Sequence, residues 1–178
     1  MISLTKLLLL VLPVTSASVI PRDINQVHHD ITQELGPQWT SLNKDVNGFP
    51  ASGLTGAVTI ASSMTTLASM TNTATVNVKS GRSFDAAGGT TVIAELQAII
   101  PTILSTLGTL GSQAPAWTSI PGGMALVLNQ LQSLNKTSSD YLDAIKAAEP
   151  FPLQAGAVAV KVQIMGAFIS AIAPYSSE

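Results

Sequence analysis

Apolar residues recur along this chain at helical spacing and nowhere in sustained two-residue alternation. The clearest run is Ile24, Val27, Ile31, Leu35, Trp39, Leu42, Val46 and Phe49, in steps of three or four residues. A strand sends successive side chains to opposite faces, so these steps would scatter apolar groups over both faces of a sheet. On a helix they form one stripe. The chain is therefore constrained to helices that pack through stripes. Composition agrees, because only 4% of residues are aromatic while 46% are hydrophobic, mostly Ala, Val, Leu and Ile.

Five helical segments follow from this spacing. The first covers about 23–49, opens at the N-cap candidate Asp23, and is interrupted by Gly36-Pro37, where a kink or break is expected. The second covers 54–78, with Leu54, Ala57, Met64 and Leu67 on one face and Ser and Thr, not charge, on the other. The third, 84–110, contains Pro101 and should bend there. Residues 111–121 form a loop that carries Trp117. The fourth runs over 121–148, with Pro121 suited to a first helical position. The fifth, 153–173, is apolar nearly all round, which predicts a place at the centre of a bundle. The expected fold is all-α, an antiparallel bundle of about five helices.

The first residues read as a leader. Lys6 precedes the apolar run Leu7–Leu12, Pro13 breaks it, and Thr15-Ser16-Ala17 supplies small residues for cleavage. The run is shorter than the ~20 residues that span a bilayer. The expected division is a signal peptide over 1–17 and a single helical domain over 18–178, secreted and without a transmembrane segment. The apolar stretch 153–173 is read as the last core helix, since Gln154, Lys161 and Gln163 interrupt it and polar residues follow it. The chain has no cysteine, so an extracellular domain of this kind must hold together through its core alone.

Charged residues make up 10% of the chain and the formal net charge is −2, with no basic patch. Nucleic acid is not an expected partner. The two histidines, His28 and His29, are adjacent, so a helix points them apart and they cannot share a metal as an i, i+4 pair. The Ser-x-x-Lys matches at Ser41/Lys44 and Ser133/Lys136 lack the companion motifs of serine hydrolases. Asp140 and Asp143 are one turn apart and read as a solvated face. No catalytic constellation, metal site or cofactor is expected. Asn135-Lys136-Thr137 is an N-glycosylation sequon, with Asn135 as the acceptor or as an unmodified polar turn of its helix.

Several segments resemble the fungal hydrophobic surface-binding protein A family, which includes the antigenic cell-wall galactomannoproteins. They are Ile100-Pro101-Thr102, Pro115-Ala116-Trp117, Ile120-Pro121-Gly122, Ala125-Leu126-Val127 with Leu131 and Leu134, and Ala167 through Ser176. The resemblance implies a secreted or wall-associated helical domain without enzymatic activity. The mannoprotein branch binds long-chain fatty acids inside the bundle. The founding branch adsorbs to hydrophobic surfaces and helps recruit secreted hydrolases. The chain departs from the family in having Pro21-Arg22 where a dibasic pair is often found, and in Gly36-Pro37. A long Ser/Thr-rich tail of the kind that anchors some relatives to the wall is also missing, so free secretion is the expectation.

Two binding modes stay open at this level, beside a purely structural cell-wall antigen that binds neither lipid nor surface. Internal binding would use stripe residues as a lipid lining: Leu35, Met64, Leu67, Ile99, Ile103, Leu128, Leu131, Ile164 and Phe168. External binding would use Trp39, Phe49 and Trp117 as an exposed adsorption patch. A filled core and a lipid cavity draw on the same residue types.

Overall fold

The computed structural model describes residues 24–176, so the leader over 1–17 and the capping position Asp23 lie outside the described residues. The elements are α1 (Ile24–His29), a π-helical turn (Asp30–Leu35), α2 (Gly36–Gly48), α3 (Gly53–Ser80), α4 (Ala86–Ser112), α5 (Ala114–Trp117), α6 (Gly123–Ala148) and α7 (Gln154–Ile172). Among the described residues the only other regular elements are two short 3-10 turns, Phe151–Leu153 and Ala173–Tyr175.

Gly36-Pro37 does not break the first helix. The amide of Gly36 reaches back five residues to the carbonyl of Ile31. This wider turn takes up an extra residue just before Pro37, which lacks an amide and crowds the turn before it. The chain then runs on as α2. The loop expected over 111–121 contains one helical turn, α5. The start of α6 falls at Gly123, not at Pro121, because Gly122 turns the chain at φ 72°, a conformation that only glycine adopts cheaply. At α4 the cap is Asp85, whose carboxylate accepts the amide of Gly88 at 2.7 Å.

The helices pack as a closed ring in the order α2, α3, α6, α7, α4 and back to α2. Helices consecutive in sequence alternate in direction, as expected of an up-and-down bundle. Ring neighbours do not always alternate. Gln113, just past the end of α4, donates to the carbonyls of Val46 and Phe49 at the end of α2, at 2.9 and 2.7 Å. The Tyr175 hydroxyl, past the end of α7, donates to the Leu110 carbonyl of α4 at 2.7 Å. So α2, α4 and α7 run the same way, and the chain must cross the ends of the ring to connect them.

These crossings close the ring. At one end α5 lays Trp117 on Phe49, ring centroids 4.4 Å apart and nearly parallel. At the other, the amide of Phe84 donates to the Ala148 carbonyl at 2.8 Å, and α1 packs across α3 and α4.

A ring of five has no central helix, and this corrects the place expected for the last one. The inner face of α7 (Ala157, Val160, Ile164, Phe168, Ala171) is buried, while Val158, Val162 and Ile169 face outward. On α3 the many threonines fold their hydroxyls back onto the helix. Thr59, Thr65, Thr71, Thr73 and Thr75 each donate to the carbonyl four residues earlier.

Candidate functional site

Every helix of the ring contributes to one interior cavity of about 30 Å³. Leu35 and Trp39 come from the first helix and Thr71 from α3. Leu96, Ile99 and Ile103 come from α4, Ser138, Tyr141 and Leu142 from α6, and Ile164 from α7. The lining is apolar except for the Trp39 indole and three hydroxyls, Thr71, Ser138 and Tyr141, carried by the adjacent helices α3 and α6. Of the lining expected from sequence, Leu35, Ile99, Ile103 and Ile164 are on this wall. Met64, Leu67, Leu131 and Phe168 are fully buried in the surrounding core, and Leu128 is half-buried against it. Phe168 adjoins the cavity through Trp39, which it meets edge-on at 6.4 Å between centroids.

The adsorption patch expected at Trp39, Phe49 and Trp117 does not exist: none is more than 4% exposed. Trp39 lies on the same stripe as Leu35 and Leu42, so it turns inward with them. Phe49 and Trp117 stack across the end of the ring. The exposed large apolar residues include Phe151, Val158, Val162 and Ile169 instead. Val158, Val162 and Ile169 share one face of α7, spaced by four and seven residues.

Among the hydroxyls of the cavity wall that of Tyr141 stands out. Its hydroxyl is buried and has no hydrogen-bond partner. Burial pushes the phenol above its ordinary range, and the negative charges of Asp30 and Glu95 add to the effect. Asp30 is itself buried, its two oxygens accepting from Gln26 Nε2 and Asn77 Nδ2, each at 2.7 Å. Thr71 spends its hydroxyl on the Leu67 carbonyl at 2.8 Å. Tyr141 belongs to the apolar stripe of α6 that the sequence displays, but nothing in that stripe marks its hydroxyl as unpaired.

A groove of about 330 Å³ lies outside the wall formed by the first helix and α4. It is lined by Ile31, Thr32, Gly36, Pro37, Thr40, Glu95, Ala98, Ile99 and Thr102. Ile99 belongs to both spaces and is the partition between them. Gly36 lets it sit close: a Cβ there would lie 3.3 Å from Ile99 Cγ2 and 3.1 Å from the Ile31 carbonyl. Glu95 is bridged to His28 Nδ1 at 2.9 Å, whereas His29 turns to Glu34 at 3.7 Å, so the two histidines diverge as their adjacency requires.

Other polar residues singled out in the sequence lie on α6. Asp140 and Asp143 meet Lys136 and Lys161 at 2.7 and 2.6 Å on the solvated face. Asn135 is half-buried in the middle of α6, and Thr137 is buried with its hydroxyl on the Leu134 carbonyl at 3.1 Å, so the sequon is part of a packed helix.

The model of a family described as hydrophobic surface binding protein A matches residues 24–147. Among solved structures the chain is similar to Afmp4p in complex with palmitic acid, at 24% identity and a TM-score of 0.80, over 86% of this chain and 99% of that one. It is also similar to ligand binding domain 1 of the Penicillium marneffei MP1 protein, complexed with arachidonic acids, at 14% identity and a TM-score of 0.78, over 86% and 99%. Domain 2 of the same protein, complexed with multiple arachidonic acids, gives 14% and 0.78, over 89% and 99%. No curated protein matches the chain.

Proposed function

The chain belongs to the hydrophobic surface binding protein A family, and from that premise we propose that it is a secreted, non-enzymatic protein that takes the hydrocarbon chain of a long-chain fatty acid, or a similar apolar ligand, into its five-helix ring. The observation that carries this is the interior cavity to which all five helices contribute a wall. The named complexes of the structural neighbours support the same class of ligand. The cavity as it stands is about 30 Å³, enough for one water, against the ~300 Å³ or more of typical ligand sites. Binding therefore dilates the ring.

The ends are plugged, so the ligand enters through the wall. The groove outside Ile99 is the route, flanked by the π-helical turn and by Pro101, where the helices' own hydrogen bonding is least regular. Met64, buried in the core, and Met165, partly buried against it, are side chains that repack at low cost. The test is a titration of delipidated protein with a fluorescent long-chain fatty acid, competed by unlabelled acid. Saturable binding near one ligand per chain is expected, and none would refute the interior reading. Leader removal is tested separately by the N-terminus of the secreted protein, expected near Ser18.

A second reading, adsorption to a hydrophobic surface, is favoured by one observation: the outer face of α7. Val162 and Ile169 are 65% and 67% exposed there, and Phe151, at the turn before α7, is 87% exposed. This face takes the part that the buried tryptophans cannot, and any recruited hydrolase would follow adsorption through it. The double substitution Val162→Asp, Ile169→Asp should lower retention on an octyl resin several-fold at unchanged Tm and unchanged fatty-acid binding. Unchanged retention would dismiss α7 as the adsorbing face.

A further inference from the structure

The interior reading leaves open how the ligand's head group is held, and the wall of the cavity carries the answer. Tyr141, a residue of the cavity wall, has a buried hydroxyl without a partner. A phenol desolvated in this way gains from any donor or acceptor brought to it. No lining residue of the cavity carries a positive charge. The charged groups that act on the Tyr141 hydroxyl are acids: Asp30, occupied by Gln26 and Asn77, and Glu95, held by His28 at the edge of the outer groove. Glu95 is also the only charged residue among those that line that groove.

A carboxylate carried to Tyr141 would lose its water, meet no cation among the lining residues, and stand near two acids, an arrangement that disfavours the anion or shifts the group to its neutral form. An alcohol or a protonated carboxyl needs only the one hydroxyl partner that Tyr141 supplies. Resting on the interior reading, we propose that the ring selects long-chain ligands with an un-ionised head, an alcohol or a protonated acid, over fatty-acid anions, and that the Tyr141 hydroxyl is the partner of that head.

The experiment compares dodecanol with dodecanoate at about pH 8, where the free acid is ionised, below the micelle threshold, followed through the change in tryptophan emission in a Trp117→Phe background, which leaves Trp39 on the cavity wall as the reporter. With Tyr141 in place dodecanol should half-saturate at about tenfold lower concentration than dodecanoate. In Tyr141→Phe, dodecanol should weaken about tenfold, as the loss of one good hydrogen bond implies, and the preference should disappear. Equal or better binding of dodecanoate, or an unchanged alcohol-to-anion ratio in Tyr141→Phe, overturns the proposal while leaving the interior reading intact. If neither compound nor a labelled fatty acid binds, the interior reading fails and takes this proposal with it.

Discussion

Substituting Ile103 by alanine separates a ligand cavity from an ordinary core. Ile103 is 3% exposed and lies on the cavity wall. A buried Ile→Ala change costs ~2–5 kcal/mol, of which a residual void of roughly 70 Å³ at ~24 cal/mol per Å³ contributes ~1.7 kcal/mol. For a domain of this size each kcal/mol lowers Tm by roughly 2–4 °C, so the ligand-free variant should melt about 10 °C below the native protein. The void, however, is space that a hydrocarbon chain must otherwise open for itself. A ligand that fills it recovers the ~1.7 kcal/mol, which corresponds to roughly fifteenfold tighter binding. Leu110→Ala is the control. Leu110 is fully buried on the same helix but is not on the cavity wall, so its loss should lower Tm similarly without tightening binding. The assays are thermal denaturation followed by circular dichroism and a fatty-acid titration of each variant. Looser or unchanged binding in Ile103→Ala, at the expected loss of Tm, would show that the ligand does not occupy this cavity.

Other outcomes follow from the polar groups. Tyr141→Phe removes an unpartnered buried hydroxyl, so the ligand-free protein should gain about 1 kcal/mol and melt about 3 °C higher; a lower Tm would mean that the hydroxyl is satisfied. Glu149 is buried with neither carboxylate oxygen bonded, and burial raises its pKa above 4.5. Between that value and the raised one, the unfolded chain has lost the proton that the folded chain keeps, so stability falls as pH rises through the window. Glu149→Gln cannot ionise. It should melt like the native protein near about pH 4 and above it near about pH 7, and equal melting at both would refute the argument.

Much of the helical content was legible because a stripe in steps of three and four admits only one regular backbone. The segments ending at Ala148 and beginning near Leu153 fall within a residue or two of the observed boundaries. What a stripe does not encode is which helix stands beside which. Ring closure depends on crossings at both ends, and these rest on single residues such as Trp117 and Gln113 that lie outside the long stripes. The all-round apolar character of 153–173 suggested a central helix, yet in a ring it becomes one inward stripe and one exposed one. Trp39 was legible as a stripe residue, four positions from Leu35, and that spacing, not the adsorption patch expected of it, decided where it lies. Four of the nine lining residues expected are on the cavity wall, but the hydroxyls that share it are not readable as a set. Whether Tyr141 is paired depends on side chains from the other elements of the ring.

The threonine hydroxyls that turn back onto α3 give this molecule an unusual relation to its solvent. The exposed ones, Thr59, Thr65 and Thr73, offer water their methyls instead, so the outside is drier than a count of Ser and Thr suggests. With 10% of residues charged, little else on that outside responds to counterions. Its contacts with waxes, air or lipid should therefore hold their strength from dilute buffer to concentrated salt, and the protein should behave in solution as a surfactant, lowering surface tension while keeping its fold.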